Sequence, residues 1–559
     1  MLTLEPSVTS LKLWVAVLSA MSLLACDQRK GIARPEGTPT IRQSIEKPVR
    51  QASLGVRKLE GRATELRASP DGRVVTVMMD GEKPRLDGVP PTMRLGELWV
   101  VPTGEGSPLK VANGAVNVPG GLLFTSDGKF VLVLGAYDPS QQSGELIVQD
   151  LTDLSKERQR LAPHVTYMKP SADGTRLAYV DDGVLFEGVL PAGPFRQLAG
   201  EVSTAEFSPN GKQLYFRRKS AAGGGVYQLE LSDEKPTPRR FVDAVGEYVI
   251  SEDSKWVIAM ARTNPRQVGF ELFIGDAKTL KPIKLGDDVM RFAISRDSQW
   301  VARMQVPGSV SASPTANDLQ IGELWLGRVG QTESRKVGQK VREFEFTKDS
   351  KKLIFRDNYQ VLALMGGKYD EKVGDLTIVT LPDGAPKVIQ KRSPNYEVSP
   401  DGTAIAYTAR IETPEYSRHL FLLKDGQEPI KLQEWLYDYV FSPQGDRLYY
   451  RANCTREGRS CDLLSQDLSK AGVEKAKKVQ TTTFNFKLSD DGSHALTSSP
   501  HMRDELFDIS LTNLVTGESK VLDQYVAQPV HFLSKDGTKV AWIVLEKGTA
   551  GVYVGSGLP

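Results

Sequence analysis

Five histidines, three cysteines and a scatter of arginines and adjacent acids are the residues of this 559-residue chain with chemistry in them. The histidines are His164, His419, His494, His501 and His531. Only His494 and His501 lie near each other, and no pair has the spacing of metal ligands. A serine-hydrolase reading needs a Gly-x-Ser-x-Gly elbow and a stretch of chain free to fold around it, and neither is visible. The run Ser220 to Gly225 is glycine-rich but lacks the lysine and the helix of a phosphate loop. Asp181-Asp182 and Asp490-Asp491 suit calcium on paper, but turn chemistry explains them more simply. The basic run Lys475 to Lys478 reads as a solvated edge. No metal, no cofactor and no catalytic set is expected, so the chain is read as a non-enzyme.

The arginines are more ordered. Arg217, Arg356 and Arg451 each stand six positions after the last residue of a turn, and Arg262 and Arg410 stand eight after. Even offsets share one face of a strand. These five form either a broken ring that grips carboxylates on a partner or an anionic glycan, or a set of solvated and internally paired cations. Cys454 and Cys461 bracket a six-residue loop between two strand-like runs. Thiols at the feet of such a hairpin reach disulfide distance, and in an oxidising compartment a disulfide is expected over two free thiols.

The elements that must position these groups follow from one recurring stretch, Val398-Ser399-Pro400-Asp401-Gly402-Thr403-Ala404-Ile405-Ala406-Tyr407. Pro400 presets φ, Asp401 bonds its own backbone, and Gly402 supplies positive φ. Ile405 and Tyr407 then alternate with Ala404 and Ala406, the period of a strand with a packed face. Eleven copies run from Ser69-Pro70-Asp71-Gly72 to Ser534-Lys535-Asp536-Gly537, roughly 37 to 56 residues apart and mostly in the mid forties. Several strands per unit at that period predict propeller blades, which stack because one blade cannot bury both faces of its sheet.

Ser-Pro-Asp-Gly followed by an apolar-Ala-aromatic strand resembles the TolB-type (WD40-like) β-propeller repeat, over roughly residues 55 to 559. The resemblance implies a fold and leaves function open, because such blades serve binding proteins, peptidase accessory domains and a few lyases. Val56 to Glu60 is read as an outer strand preceding its first blade, and Gly551 to Gly555 as a third strand lacking a fourth. Likenesses five blades apart, such as Gly96-Glu97-Leu98-Trp99 with Gly322-Glu323-Leu324-Trp325, suggest a duplication and two rings of five and six blades. The boundary then falls near 280 or near 330. The later position is expected, because TolB-like rings are six-bladed, giving propellers at 55–330 and 331–559.

Residues 1–26 are a leader. An apolar run from Leu13 to Ala25 ends in Leu23-Leu24-Ala25-Cys26, which resembles the bacterial lipobox. The resemblance implies removal of the leader and a lipid on Cys26. Residues 27–54 are polar and without period, a flexible tether. The net charge of +2 argues against nucleic acid as a partner. The chain is therefore expected to be an all-β, lipid-anchored protein of a Gram-negative cell envelope, facing the periplasm or on the outer membrane. It is expected to act as a protein–protein scaffold or recognition module. The competing reading is a glycan or small-ligand binder, or an enzyme, using a propeller tunnel mouth. The loops from second to third strand carry the insertions Asp80 to Arg94, Pro307 to Gln320, Met365 to Lys372 and the Cys454–Cys461 loop. That rim is the expected binding face.

Overall fold

The computed structural model describes residues 55–556, except 219–223, 263–268, 307–319, 365–368, 412–416, 456–459, 473, 501–505, 527–530 and 546–547. Cys26, the leader and the tether lie outside the described residues. Among those residues the chain forms forty-two strands and no α-helix. All strand pairs are antiparallel, and the chain makes nine sheets, seven of four strands and two of seven.

The repeat is visible in every sheet as a strand, a tight turn and a second strand. In the copy at 399–404 the buried Ser399 hydroxyl donates to Asp401 Oδ1 (2.6 Å) and accepts the Ala404 N–H (2.9 Å). Gly402 N–H closes the turn on the Ser399 carbonyl (2.9 Å) with φ of +79°. A serine at this place thus satisfies one donor and one acceptor that the sheet edge would otherwise bury unpaired. Three copies put serine where the others have glycine: Ser254, Ser298 and Ser350, at φ of 60°, 59° and 59°. Two of these hydroxyls accept backbone N–H groups of the preceding repeat, Asn210 for Ser254 (3.1 Å) and Asp297 for Ser350 (3.0 Å). The strain of a left-handed serine is offset by a bond between neighbouring turns.

Eleven repeats occupy nine sheets because two strands each serve two repeats. Gln159–Pro170 is the outer strand of the second repeat and the inner strand of the third, and Pro282–Ile294 does the same for the fifth and sixth. Blades are numbered here by repeat. Blade 1 spans Ala63 to Val116, blade 4 Val202 to Val242, and blade 5 runs from Val245 into the shared strand. Blade 6 leaves that strand and ends at Val341, and blade 7 spans Phe344 to Ser393. Blade 8 spans Tyr396 to Gln433, blade 9 Leu436 to Thr483, and blade 10 Asn485 to Val526. Blade 11 starts at His531, and its fourth strand is Val56–Glu60, which pairs with Gly551–Ser556. The first and last described strands thereby complete one sheet and remove its edge.

Apolar side chains of neighbouring blades interdigitate at the seams. Ala404, Leu420 and Leu422 of blade 8 meet Phe441, Leu448 and Tyr450 of blade 9. Val75 and Val77 of blade 1 meet Ala541, Ile543 and Val552 of blade 11. Burial of such faces is what makes the blades stack. Blades 9 and 10 also meet through polar groups, where Gln480 Oε1 accepts from Thr497 (2.8 Å) and Thr512 (3.3 Å).

Apolar packing is continuous at the expected boundary near 330. Met304, Leu324 and Leu326 of blade 6 share one apolar cluster with Phe344, Leu353 and Phe355 of blade 7, so packing continues across residues 326–344. Residues 51–559 form one compact unit. The physical reason is the closure. The N-terminal strand completes blade 11, and blade 1 packs against blade 11 rather than against a sheet near 330.

Candidate recognition rim

First strands end at the serine turn and second strands start there, so all eleven turns share one rim. The opposite rim holds the starts of first strands, the ends of second strands and the loops to third strands. There the blades repeat a second device. The residue before the first strand's pairing with the second takes a left-handed conformation: Glu201, Ala244, Asp288 and Trp435 at φ of 60°, 54°, 50° and 56°. Two positions on, a bulge leaves one residue looped out of the pairing: Ser203, Gly246, Met290 and Tyr437. A bulge at a strand end re-aims a side chain. Blade 9 alone in this set fills both positions with aromatic residues, and both face solvent, Trp435 at 49% exposure and Tyr437 at 54%. A bulky residue at positive φ is a backbone outlier.

The surroundings of this pair are rigid. The Arg451 guanidinium carbon lies 4.5 Å from the Tyr437 ring centroid, a cation–π contact. Arg451 Nε donates to Asp438 Oδ1 (2.7 Å), and the same pair makes a second, shorter contact. Cys454 and Cys461 are joined in a disulfide just beyond, at the foot of the next loop of the same blade. Across the seam, His419 of blade 8 is 8% exposed and its Nδ1 has no hydrogen-bond partner. Burial pushes the His419 pKa down, while the Glu434 carboxylate pulls it up. Glu434, immediately before Trp435, is itself held below the usual carboxylate range by Lys431, 2.7 Å away.

The five arginines are dispersed. Arg356 is buried, ion-paired with Glu343, and bonded to the carbonyls of Lys372 (3.2 Å), Ser393 (3.3 Å) and Pro394. Arg451 is equally buried. Both are spent inside their own blades, so neither has its fork free for an external carboxylate. Arg217 Nη1 donates to the Gly246 carbonyl of blade 5 (2.9 Å). The Arg262 guanidinium sits 5.0 Å from the Phe270 ring. The side chain of Arg410 lies outside the described residues. Among the four described side chains, the contacts of each are made separately, within or between different blades. Their offsets do place them on one rim, because all follow the same second strand.

Of the expected insertions, 307–319 and 365–368 lie outside the described residues. The Asp80 to Arg94 segment is not a free arm. Met93 is buried in the core of blades 2 and 3 with Val89 packed beside it, and Arg94 N–H donates to Asn117 Oδ1 (2.7 Å). Sequence reasoning missed Trp435 and Tyr437. The signal was there: aligned on the serine turn, the two positions hold small or polar residues in most blades and aromatic ones in blade 9. Among the described residues, no three His, Cys, Asp or Glu side chains converge as a metal site, and no helix is long and apolar enough to cross a membrane.

No protein-family profile matches the chain, and no curated protein matches it. Many solved structures do. A crystal structure of the eukaryotic initiation factor is 14% identical with a TM-score of 0.37, covering 69% of this chain and 94% of its own. The tricorn protease is 14% identical with a TM-score of 0.24, over 89% of this chain and 57% of its own. An oligogalacturonate lyase in complex with manganese is 12% identical with a TM-score of 0.29, over 62% of this chain and 98% of its own. The propeller assignment rests on the strands and turns of this chain itself.

Proposed function

We propose that the protein is a recognition module that docks a protein partner of the cell envelope on the rim carrying Trp435 and Tyr437. The observation that supports this most is the pair itself. Two large aromatic side chains stand half exposed on a strained, bulged strand start, where most other blades carry small or polar groups. Exposed, rigidly backed aromatics are the side chains that dominate binding energy at protein interfaces. Arg451, Asp438 and the disulfide hold the strand that carries them, so little ordering is left to be done on binding.

In this reading the blades are of the TolB type. Residues 1–26 are a lipoprotein leader, Cys26 carries the lipid, and 27–54 tether the propeller to a Gram-negative membrane. The propeller faces the periplasm or stands on the outer membrane. It works as one body over residues 55–556, without catalysis and without a cofactor. A second reading, binding of a glycan, draws on the same pair, because the flat faces of Trp435 and Tyr437 suit sugar rings.

The test is in-cell crosslinking and capture with the wild type and with the W435A/Y437A double variant. One or two envelope proteins should be captured by the wild type and reduced at least about tenfold by the variant, roughly 1.4 kcal/mol. Equal capture by both would remove the rim from the proposal. Retention on glycan arrays that W435A/Y437A abolishes, with no protein captured, would replace the first reading by the second. Cys26→Ser should release the protein from membranes; a variant that stays membrane-bound would sink the anchor.

A further inference from the structure

Five blades share a pairing across their second and third strands. Tyr179 stacks on Phe186 (5.3 Å between centroids), Phe216 on Tyr227 (5.5 Å), Tyr407 on Phe421 (5.5 Å) and Trp542 on Tyr553 (6.0 Å). Each couple is directly opposed in register. In blade 6 the same opposed couple is Arg303 and Trp325, with the guanidinium carbon 5.8 Å from the indole centroid. An arginine therefore occupies a core position that other blades give to a ring.

That arginine lacks a counter-charge. It is 6% exposed, and Nη2 donates to Ser334 Oγ (2.8 Å). Nε has no acceptor, and no carboxylate among the described residues pairs with it. Of the nearby acids, Glu271 Oε1 and Asp287 are bridged by Lys284, each at 2.6 Å, and Glu271 Oε2 is buried without a hydrogen bond and makes none to Arg303. The Trp325 indole N–H is also buried without an acceptor. Burial pushes the Arg303 pKa down, and no neighbouring acid opposes the shift. The backbone makes room for this group. A Cβ at Gly286 would fall 2.7 Å from Arg303 Nε and 2.5 Å from Gln305 Nε2. Two buried donors on one opposed couple, both without an acceptor, describe a place from which an acceptor is missing, because such groups are otherwise paired.

We propose that the seam between blades 5 and 6 is a binding site for a small carboxylate, gripped by Arg303 with Trp325 and Ser334 beside it. A planar carboxylate matches the guanidinium fork. One cation balances one negative charge, and a dianionic phosphate would leave a surplus charge near Glu271 and Asp287. This site is distinct from the aromatic rim of blade 9 and stands or falls separately.

The test uses the full-length protein and three sodium salts, acetate, N-acetylglycine and glucuronate, each against sodium chloride at equal ionic strength. Thermal unfolding and tryptophan fluorescence are read together. At least one carboxylate should raise the wild-type Tm by a few degrees in a saturable way. R303M should lose that dependence, and W325F should weaken the apparent affinity about threefold or more. The salt that acts at the lowest concentration separates a sugar acid from a peptide carboxylate as the source. If R303M does not fold, S334A removes only one hydroxyl and should weaken binding severalfold. The proposal is overturned if no carboxylate moves the wild-type Tm beyond chloride, or if R303M or a folded S334A responds as the wild type does.

Discussion

The two rims of the propeller obey opposite rules. On the turn rim, every blade solves the same problem with the same groups. A buried Ser or Thr hydroxyl bonds an Asp or Asn carboxylate or amide oxygen two residues on in nearly every copy, as in Ser69–Asp71 (2.7 Å), Thr347–Asp349 (2.6 Å) and Ser534–Asp536 (2.6 Å). The Ser534 hydroxyl, followed by the Thr538 N–H against the opposing effect of burial, holds the Asp536 carboxyl below its ordinary range. On the opposite rim the backbone repeats, with a left-handed residue and then a bulge, but the side chains do not. Uniform side chains mark the part of the repeat that folding needs. Variable ones on a constant backbone mark the part that folding leaves free to differ, which is where the proposed recognition site is placed.

The largest effect that would sharpen this contrast lies between the rims, on the inner strands. Glu397 has its pKa pushed up to about 8, first by burial and then by the nearby Glu345 carboxylate, against the Phe441 N–H that favours its charge. A carboxyl whose folded pKa is raised binds its proton more tightly in the folded state. Its contribution is full below the unfolded value near 4 to 5 and is lost as pH rises through about 8. Wild-type stability should therefore decline between about pH 5 and pH 9, with a share on the order of 3 kcal/mol from this group. Glu397→Gln should flatten that decline in urea titrations. An unchanged slope would show that the group is ionised at neutral pH. Glu397→Gln should leave partner capture unchanged, because Glu397 is on neither rim.

The next effect belongs to the turn rim. Ser399→Ala removes the acceptor of the Ala404 N–H and the donor to Asp401 in one step, at a buried site. Loss of stability of about 1–3 kcal/mol is expected from the unpaired groups. Capture by the folded protein should be unchanged. The W435A/Y437A variant should behave in reverse, with stability within about 0.5 kcal/mol of wild type, as for exposed side chains, and capture reduced tenfold. Should Ser399→Ala lower capture as much as the rim variant does, the separation of folding rim from recognition rim fails.

The distinction also explains what the sequence disclosed. The propeller was legible because its signal is local and repeated: turn chemistry, an alternation of two, and a period near 45. The disulfide of Cys454 and Cys461 was legible for the same reason, being two residues at the feet of one hairpin. The closure was half legible. Val56 to Glu60 read as an outer strand in search of a blade, and it pairs with Gly551–Ser556. Grouping into rings was not legible, because which seam meets which depends on the sum of small rotations between blades, and no single residue records it. The arginine offsets gave a shared rim but not a shared site. Whether Arg356 or Arg451 is free depends on an acid thirteen positions earlier, Glu343 or Asp438. Arg303 escaped notice because its meaning is an absence of counter-charge, which appears only when the seam is assembled.

The smallest effect tests the comparison at its finest grain, at the three turns that use serine in place of glycine. Ser350 pays for its left-handed φ of 59° with a hydroxyl that accepts the Asp297 N–H at 3.0 Å. Ser350→Gly relieves the local strain, worth roughly 1 kcal/mol for a non-glycine residue in this region. It also adds freedom to the unfolded chain and strands the Asp297 N–H, each opposing that gain by a similar amount. The net change should be a loss of roughly 0.5 kcal/mol, read as a Tm lower by about half a degree. Ser298→Gly is the control. Its hydroxyl is buried without a partner, so it has no inter-turn bond to lose. That variant should be neutral or slightly stabilising. If the two substitutions shift Tm equally, the bond from Ser350 to the neighbouring turn contributes nothing, and the serines of this rim are only tolerated departures from glycine.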